Sequence, residues 1–272
     1  MQNSQEGKMI RERSNKQGDR VAIILKELRQ AGSVLVENLS EAMDVSHATV
    51  RRDLQELEDK GLLRRTHGGA IPIEPFFYEA FRNDRSFQDQ VESFADEKRR
   101  IALAASELVS PGETIALTAG TTTAEVIRSL PTLGGITVVT NTVNVAMELS
   151  KRKDIDVFVT GGHLRGDWFS LVGAEAVTAM TGVCVDVLFI GVNGIDAQRG
   201  LTCINADEVE INRTMVRQAK RKIAVADHSK LGIATKWVIC PATAIDMLIT
   251  DSGATNKMIA PFLKKQIEVR RV

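Results

Sequence analysis

The segment that most constrains this chain is VSHATVRRDLQELEDK, residues 45–60. Val50, Leu54 and Leu57 recur at helical spacing, so they share one face of a predicted helix and direct that face toward a core. Ser46 stands where a helix N-cap is expected, because its hydroxyl can accept a hydrogen bond from the first turn. The segment therefore predicts an amphipathic helix with a defined start.

The polar side of this helix has the composition of a DNA-reading surface. Its first turn carries the small or polar residues His47, Ala48 and Thr49, which let a backbone approach a base edge closely. Arg51 and Arg52 fall outside the apolar stripe and can reach phosphates or a guanine. This arrangement is typical of the second helix of a helix-turn-helix, which lies in the major groove. From this segment alone, an ordinary amphipathic surface helix is an equal alternative.

Two shorter helical patterns precede this segment. The spacing of apolar residues predicts helices over 19–30 and 36–43, with Asp44 in the turn that follows, where Asp tolerates left-handed geometry. Gly61 is expected to end the third helix. The order of three short helices favours a helix-turn-helix domain over an isolated surface helix.

The next stretch, LLRRTHGGAIP at residues 62–72, predicts a β-hairpin. Leu62 and Leu63 can pair as a strand, and Gly68-Gly69 permits a tight turn. The hairpin would present Arg64, Arg65 and His67. Three helices and a basic hairpin make a winged helix-turn-helix domain over 19–72, whose wing would meet the phosphate backbone or the minor groove. A solvated charge pair is the alternative for the two arginines.

Composition and cysteine usage limit the other classes of protein to which the chain could belong. Lys+Arg and Asp+Glu are both 35, so only a locally basic unit on a neutral body could bind nucleic acid. Three scattered cysteines, Cys184, Cys203 and Cys240, argue against a disulfide framework or a metal site and for buried free thiols in a reducing cytoplasm. No apolar run approaches the roughly 20 residues that cross a bilayer. Residues 1–18 lack the apolar core of a signal peptide, so we expect a mobile leader and a cytoplasmic protein without membrane contact. We also expect that the protein has no cofactor.

Residues 73–94 form an aromatic-rich linker that holds six of the twelve aromatic residues of the chain (nine Phe, one Tyr, two Trp). These six are Phe76, Phe77, Tyr78, Phe81, Phe87 and Phe94. Such side chains need burial against the main domain or against a second subunit. Because operator-binding proteins of this kind usually act as dimers, the linker favours a homo-oligomer, either a dimer or a tetramer.

Residues 95–272 alternate between short apolar strands and helices. Helices are predicted at 121–130, 143–151, 172–180 and 206–220. Strands are predicted at 114–118, 136–140, 155–161, 185–191, 223–227, 247–250 and 267–270. This alternation predicts an α/β domain with a parallel sheet covered by helices on both faces.

In such sheets, ligands bind beyond the carboxyl ends of the strands. The first strand is followed by Gly120, Thr121, Thr122 and Thr123, and hydroxyls with free N–H groups at a helix start suit a phosphate. Polar or glycine-bearing residues follow four more strands: Asn141-Thr142, Gly161 to Arg165, Gly191 with Asn193 and Gly194, and Asp227 to Lys230. Together they favour a small polyol or sugar carrying a phosphate. The absence of G-x-G-x-x-G disfavours a dinucleotide.

Two parts of the chain resemble a known family. VSHATVRRDLQELEDKGLLRRTHGGAI resembles the N-terminal signature of the DeoR family of bacterial transcriptional regulators, with Asp44 where the family commonly has Gly. The segments GTTT, VTNTVNVA, GGHLRGDWFSLVG and DVLFIGVNGIDAQRGLTCINADEVEINRTMV resemble the sensor domain of that family. That domain is similar in fold to ribose-5-phosphate isomerase and glucosamine-6-phosphate deaminase, and it binds phosphorylated sugars. The resemblances cover about residues 20–250.

The resemblance implies a repressor of a carbohydrate-utilisation operon that a phosphorylated sugar releases from double-stranded DNA. The DNA-binding set would be Ser46, His47, Ala48, Thr49, Arg51, Arg52, Arg64, Arg65, His67, Gly68 and Gly69. The phosphate would be held by Gly120, Thr121, Thr122 and Lys230, and the sugar side lined by Asn141, Gly162, Arg165, Asn193 and Glu208. Thr118 stands where the family often has Asp, and Asn212 where it often has Lys.

Two other readings of the chain remain open at this level. A sugar-phosphate isomerase or deaminase with an accessory DNA-binding head would need a positioned carboxylate, for which Glu208 and Asp227 are candidates. Residues 95–272 could instead be an oligomerisation platform without a ligand.

Separately, we expect Asp53 to orient a nearby arginine, either Arg51 or Arg52 or one on the wing, because its charge would be unfavourable beside DNA.

Overall fold

The computed structural model describes residues 19–28, 31–59, 62–72, 93–165 and 168–272. The chain divides into two compact units, Met1–Pro75 and Phe76–Val272. The predicted leader at 1–18 lies outside the described residues, as does the predicted linker except for residues 93 and 94. Of the six linker aromatics, Phe94 is therefore the one that can be placed: its ring meets the ring of His228 edge-on, with centroids 4.9 Å apart.

The N-terminal unit contains three helices and a three-stranded antiparallel sheet. Residues 19–28 are helical (α1), and they are followed by β1 (Val34–Leu35), α2 (Val36–Met43), α3 (His47–Asp59), β2 (Arg64–Arg65) and β3 (Gly69–Ile71). The strands lie in the order β1-β3-β2. The predicted winged helix-turn-helix is confirmed, with two corrections. β1 was not predicted, and the first wing strand is Arg64–Arg65, because Leu63 is fully buried in the core instead of pairing.

The apolar stripe of α3 is buried, as its spacing predicts. Val50, Leu54 and Leu57 are each at most 1 % exposed and belong to one core with α1, α2 and the wing sheet. Asp44 takes the left-handed conformation, with φ of 51°, at the end of α2. The Thr49 N–H donates to the Ser46 hydroxyl at 3.2 Å, so Ser46 is the predicted cap of α3. The end of α3 near Gly61 lies outside the described residues.

The C-terminal unit is built on a seven-stranded parallel sheet. Its strands are β4 (Thr114–Leu117), β5 (Ile136–Thr140), β6 (Ile155–Val159), β9 (Val185–Gly191), β12 (Ala219–Val225), β14 (Met247–Thr250) and β15 (Glu268–Arg271). They lie in the order β15-β14-β12-β9-β4-β5-β6. β12 begins four residues before the predicted start at 223, because its backbone already pairs with β9 from Ala219, which lies opposite Val185.

Helices cover both faces of this sheet, as predicted. One face packs on α4 (Ala95–Ser106), α5 (Thr121–Ser129) and α6 (Val143–Leu149). The other packs on α7 (Ala174–Thr181), α8 (Asp207–Gln218) and α9 (Asn256–Leu263). Alternate residues of each central strand enter the two cores; in β9, for example, Val187 and Phe189 face the first and Leu188 and Ile190 the second. The α/β class is therefore confirmed by a sheet with two buried faces.

Short antiparallel strands form two smaller sheets beside the main sheet, and the sequence analysis predicts none of them. β7 (His163–Arg165) pairs with β8 (Ser170–Val172). A second small sheet has the order β10-β11-β13, from β10 (Gly194–Asp196), β11 (Gly200–Cys203) and β13 (Trp237–Cys240). Single turns of 3₁₀ helix occur at His228–Lys230 and Ala242–Ala244.

The strand order creates one place where a ligand site is expected. After β4 the chain moves outward in one direction to β5 and β6, and from β9 it moves in the other direction to β12, β14 and β15. The loops that leave β4 and β9 therefore diverge, and a crevice opens beyond their carboxyl ends.

The cysteines and the helices bear on two further predictions. All three cysteines are free; Cys203 and Cys240 are buried, but Cys184 is exposed, which corrects the expectation that all three are buried. Burial raises the pKa of both the Cys203 and the Cys240 thiol to about 11, so these thiols stay protonated.

Within the described ranges, every helix is too short or too polar to span a membrane.

Candidate functional site

The polar face of α3 is open to solvent. Ser46, His47 and Ala48 are exposed at its start, and Thr49 is half-buried. Arg51 and Arg52 are exposed one turn later. The hydroxyls of Ser46 and Thr49 lie 3.0 Å apart, and this contact fixes the first turn. The structure thus brings the predicted DNA-contacting residues of α3 onto one accessible surface.

The wing adds further accessible cations to this unit. Arg64, Arg65, His67 and Gly68 are exposed. Gly69 is buried, and a Cβ at this position would lie 1.8 Å from the carbonyl oxygen of Val34. Gly69 is therefore required for the close approach of β1 and β3, so it shapes the wing rather than presenting a side chain.

Arg65 also fixes the wing to α3. Its backbone N–H donates to the Glu58 carboxylate at 2.8 Å, and its guanidinium hydrogen-bonds the side-chain oxygen of Gln55. Both partners lie on α3. The wing and the recognition helix therefore form one surface with a defined geometry.

Asp53 is paired differently from our expectation. Its carboxylate is 2 % exposed and accepts from Arg20 of α1, from Nε at 2.6 Å and from Nη2 at 3.0 Å. It does not orient Arg51, Arg52 or a wing arginine by any such bond. Because Asp53 points into the helical core, it needs a cation from a neighbouring helix, and α1 supplies it.

The C-terminal unit contains a cavity at the crevice between β4 and β9. Its volume is about 110 Å³, against roughly 10–15 Å³ for one buried water on the same measure, so it can hold a ligand of many atoms. Polar or charged lining residues are Lys98, Thr121, Thr122, Asn193, Asn205, Glu208, Asn212, Asp227 and Lys230; Gly120, Trp168, Gly191, Cys203 and Ile204 are among the others.

Two lysines, Lys98 and Lys230, line the cavity. Lys98 of α4 is 4 % exposed, and its Nζ donates to the Ser93 carbonyl at 2.7 Å. Burial lowers the pKa of Lys98; the nearby carboxylate of Asp227 raises it and the ammonium of Lys230 lowers it. Gly120 is the N-cap of α5, and its carbonyl accepts from the Ala124 N–H at 3.1 Å. The preceding N–H groups stand at the positive end of the helix dipole, which suits an anion.

The Glu208 carboxyl group also lines the cavity. Glu208 is half-buried and accepts from the Ser170 hydroxyl at 2.8 Å. Burial raises the pKa of Glu208, while the Ser170 hydrogen bond and the charge of Arg165 act in the opposite direction. Asn193, another lining residue, accepts from the Ile204 N–H at 3.1 Å, which fixes the orientation of its amide. Glu208 and Asn193 offer hydrogen-bond partners for hydroxyl groups.

Six of the ten residues predicted to bind an effector line the cavity: Gly120, Thr121, Thr122, Asn193, Glu208 and Lys230. The structure places the other four outside the lining. The Thr123 hydroxyl bonds the Thr118 and Gly120 carbonyls, and the Asn141 amide donates to the Leu171 carbonyl at 3.2 Å. Arg165 pairs with Asp207 at 2.8 Å. A Cβ at Gly162 would lie 2.5 Å from the Val172 carbonyl, so this glycine permits a close backbone approach.

Lys98, Trp168 and Asn205 line the cavity and were not predicted. The strand-end rule cannot identify Lys98, because Lys98 lies on a helix and not at a strand end. It does share a face with Ile101, Ala102 and Ala105, at i+3, i+4 and i+7. A lysine on the apolar stripe of an amphipathic helix is the signal that could have identified it.

The two residues that depart from the family pattern, Thr118 and Asn212, lie in different positions relative to the cavity. Asn212 is 5 % exposed and lines the cavity. Thr118 is buried, and its hydroxyl accepts from the Gly191 N–H at 3.0 Å, so it ties the loop after β4 to the loop after β9. Among the described residues, three or more His, Cys, Asp or Glu side chains nowhere come together as a metal site.

Comparison with family models agrees with both units. A DeoR-like helix-turn-helix domain matches residues 20–76, and the DeoR C-terminal sensor domain matches residues 93–269. The chain belongs to the DeoR family of transcriptional regulators. The family resemblance predicted from the two signature regions is therefore confirmed, and the matches indicate a DNA-binding regulator.

Curated DeoR-type regulators match most of the chain. The transcriptional regulator GlpR of Haloferax volcanii is 41% identical over 216 residues, covering 79% of this chain and 82% of the relative. The transcriptional repressor GlcR of Bacillus subtilis is 33% identical and covers 86% of this chain and 88% of its own. The transcriptional repressor AccR of Agrobacterium fabrum is 32% identical, with coverages of 88% and 91%.

Solved structures give more distant matches. The full-length sorbitol operon regulator SorC from Klebsiella pneumoniae is 12% identical, covers 89% of this chain and 98% of its own, and has a TM-score of 0.42. Ribose 5-phosphate isomerase A from Methanocaldococcus jannaschii is 19% identical, covers 50% of this chain and 54% of its own, and has a TM-score of 0.38. Likeness at this level says nothing about ligand or activity.

Proposed function

We propose that this DeoR-family protein represses a carbohydrate-utilisation operon and leaves its operator when a phosphorylated sugar occupies the cavity. The observation that carries the proposal is the pair of lysines in the cavity. There, Lys98 and Lys230 lie with the start of α5, in a chain whose other unit presents a helix-turn-helix surface.

The DNA-binding step uses α3 and the wing. The first turn of α3, with His47, Ala48 and Thr49, would enter the major groove, where short side chains allow contact with base edges. Arg51, Arg52 and the wing cations would neutralise phosphates, which makes binding strongly salt-dependent. A single helix-turn-helix reads one half-site, so an operator with two half-sites requires a homo-oligomer, a dimer or a tetramer.

The effector step uses the cavity. A phosphate group would accept hydrogen bonds from the N–H groups at the start of α5 and from the Thr121 and Thr122 hydroxyls. Lys98 and Lys230 would supply two positive charges to the same group. Asn193 and Glu208, which also line the cavity, would hydrogen-bond the hydroxyls of the sugar.

Release from the operator requires that the effector binds the two states of the protein with different affinity. By linkage, operator DNA must weaken effector binding by the same factor by which effector weakens operator binding. Two of the regulators that match most of the chain are named repressors, which supports repression as the direction of control.

The test is a fluorescence-anisotropy titration of the full chain with a duplex that the protein itself selects from a random library. A panel of pentose, hexose and triose phosphates is added, with inorganic phosphate and the unphosphorylated sugars as controls. At least one sugar phosphate should weaken operator binding by about fivefold or more, within the range of allosteric coupling, and its parent sugar should not. Failure of every sugar phosphate to change the affinity would contradict the proposal.

A further inference from the structure

The start of α4 is the point at which the polypeptide enters the part of the C-terminal unit that contains the cavity. Ser93 and Phe94 precede this helix, and Phe94 is its N-cap. Because the N-terminal unit comes earlier in the sequence, every covalent path from the DNA-binding surface to the main sheet passes through these two residues. A change in the backbone angles of Phe94 therefore redirects the chain that leads to the DNA-binding unit.

Phe94 holds an unfavourable backbone conformation. Its φ and ψ are 55° and 38°, in the left-handed region. Residues with a Cβ rarely adopt this region, and for a bulky aromatic residue it is a genuine outlier. Such a conformation persists only where surrounding contacts enforce it, and residues of this kind concentrate at functional and switch regions. The contacts around Phe94 therefore decide which conformation the start of α4 adopts.

Two contacts hold these residues, and each involves a neighbour of the cavity. The Nζ of Lys98, a lining residue, donates to the Ser93 carbonyl at 2.7 Å. The Phe94 ring meets the His228 ring edge-on, with centroids 4.9 Å apart. His228 begins the 3₁₀ turn that ends at Lys230, which also lines the cavity. Groups at the cavity wall thus also fix the conformation that precedes α4.

His228 is itself held firmly in place. Its N–H donates to the Asp251 carboxylate at 2.7 Å, and its Nδ1 lies 2.8 Å from the other oxygen of the same carboxylate. A Cβ at Gly253 would lie 2.5 Å from this Nδ1, so the glycine makes room for the ring. The ring therefore offers Phe94 a surface whose position follows that of the His228–Lys230 turn.

We propose that Phe94 couples the cavity to the DNA-binding unit by changing between two conformations. In the seated conformation, which the structure shows, Phe94 packs on His228 and the Ser93 carbonyl bonds Lys98. In the released conformation both contacts are broken, and the Phe94 backbone leaves the left-handed region. The inference rests on the proposed function, because it supplies the route by which an effector in the cavity reaches the DNA-binding unit.

An anion in the cavity favours the seated conformation. An ammonium group has three N–H donors, so Lys98 can bond the Ser93 carbonyl and a phosphate at the same time. A phosphate held by Lys98 and Lys230 keeps the first bond in place and restrains the turn that carries His228. The ligand therefore has different affinities for the two conformations, as any allosteric effect requires.

The experiment measures operator affinity of the full chain by fluorescence anisotropy, with and without a sugar phosphate. Glucose 6-phosphate, fructose 6-phosphate, ribose 5-phosphate and dihydroxyacetone phosphate are first titrated by calorimetry, and the tightest binder is used at a concentration that saturates every variant. Wild type should lose operator affinity about fivefold or more, and Phe94→Ala less than about twofold. Because each protein is saturated, weaker ligand binding cannot explain the difference.

His228→Asn tests the other side of the same contact, and it carries the test if Phe94→Ala does not fold. Asparagine keeps an N–H donor for Asp251 but lacks the ring, so this variant should also keep its operator when the sugar phosphate is bound. Phe158→Ala on β6 is the matched control, because Phe158 is 42 % exposed, against 37 % for Phe94, and does not line the cavity. It should release the operator as wild type does.

Hydrogen–deuterium exchange reports on the seated conformation itself. The Lys98 N–H donates to the Phe94 carbonyl at 3.0 Å, so its exchange depends on the conformation of Phe94. The same sugar phosphate should slow exchange at the start of α4 more than at α9, which packs on the other face of the sheet. Phe94→Ala should show no such local difference.

The outcomes separate this inference from the proposed function. If wild type and Phe94→Ala lose operator affinity equally, Phe94 does not couple the cavity to the DNA-binding unit, and the inference fails while the proposed function stands. If Phe94→Ala no longer binds the sugar phosphate at all, Phe94 belongs to the binding site and the inference also fails. If no sugar phosphate changes the operator affinity of wild type, the proposed function fails, and the inference fails with it.

Discussion

The DNA-facing surface and the ligand cavity are assembled in opposite ways. The first comes from one contiguous stretch, residues 46–69, in which a helix and a hairpin follow each other directly. The second collects side chains from separate segments between Lys98 and Lys230, which meet where the loops after β4 and β9 diverge. A contiguous surface can be recognised as a motif, whereas the cavity exists only once the strand order is known.

The two regions also differ in what their buried charges do. Asp53 in the N-terminal unit accepts two hydrogen bonds from Arg20 and links α3 to α1. Lys98 in the C-terminal unit is also buried, and it lies at a cavity wall near both the Asp227 carboxylate and the Lys230 ammonium group. The first arrangement serves the fold, and the second keeps positive charge where a ligand can use it.

The largest expected effect is on DNA binding. Arg51→Ala with Arg52→Ala should weaken operator affinity several hundredfold, about 3 to 4 kcal/mol, because each arginine contact with a base or phosphate is worth about 1–3 kcal/mol. Filter binding or anisotropy measures it. Arg217→Ala with Arg221→Ala removes the same charge from exposed positions of the other unit and should change little. Unchanged operator affinity in the α3 variant would rule out this surface.

The next effect is on stability. Asp53→Ala should destabilise the N-terminal unit by about 3 kcal/mol, since it leaves Arg20 partly buried without its carboxylate. Hydrogen–deuterium exchange of the α3 amides measures the loss. Asp59→Ala, at an exposed position of the same helix, is the control. The double variant Arg20→Met with Asp53→Leu should recover most of the protection. Full protection in Asp53→Ala would show that the ion pair contributes nothing to this unit.

These regions also show how far the sequence could predict the molecule. The spacing of Val50, Leu54 and Leu57 and the apolar runs of the main sheet gave the helices and strands, because periodic burial leaves a periodic pattern. The short antiparallel strands were missed, since pieces such as β7 and β10 have three residues each and show no period.

The cavity was predicted in part, and its errors have a common cause. The rule that ligands bind beyond strand ends predicts Gly120 and Lys230, but it cannot identify Lys98, which lies on α4. The same rule included Asn141, whose amide turns toward the Leu171 carbonyl instead of the cavity. Likewise, the partner of Asp53 could not be found from nearby arginines, because the contact joins residues 33 positions apart.

A smaller effect separates ligand binding from folding. Lys98→Met should weaken binding of an effector monophosphate by about tenfold, or about 1.4 kcal/mol, through loss of a charge-assisted hydrogen bond. Its melting temperature without ligand should be equal or higher, because a buried cation is replaced by an apolar side chain of similar length. Lys257→Met, on the exposed surface of α9, is the control. A large drop in melting temperature would instead mark Lys98 as a structural residue.

The smallest effect is the pH dependence that Lys98 introduces. Burial lowers the pKa of Lys98 below the ordinary 10.5. As the pH rises, the ammonium group therefore loses its proton at a lower pH in the folded protein than in the unfolded chain. Between those two pKa values the unfolded chain holds more protons, and the free energy of unfolding therefore rises with pH. Effector affinity should fall over the same window, because the phosphate needs the charged form. Titration calorimetry between pH 7 and 10 measures this, and Lys98→Met should abolish the Lys98 contribution.

The most direct measurement of the central claim is the operator dissociation constant of the full chain with and without the sugar monophosphate that most raises its melting temperature. Wild type, Lys98→Met and Arg51→Ala with Arg52→Ala are compared at one salt concentration. At a ligand concentration equal to the wild-type dissociation constant, the account predicts that the ligand weakens operator binding by wild type and weakens operator binding by Lys98→Met several times less. The arginine variant should bind the ligand normally and the operator hardly at all. Equal release of wild type and Lys98→Met, or no release of either, would contradict control of the DNA-binding unit by this cavity.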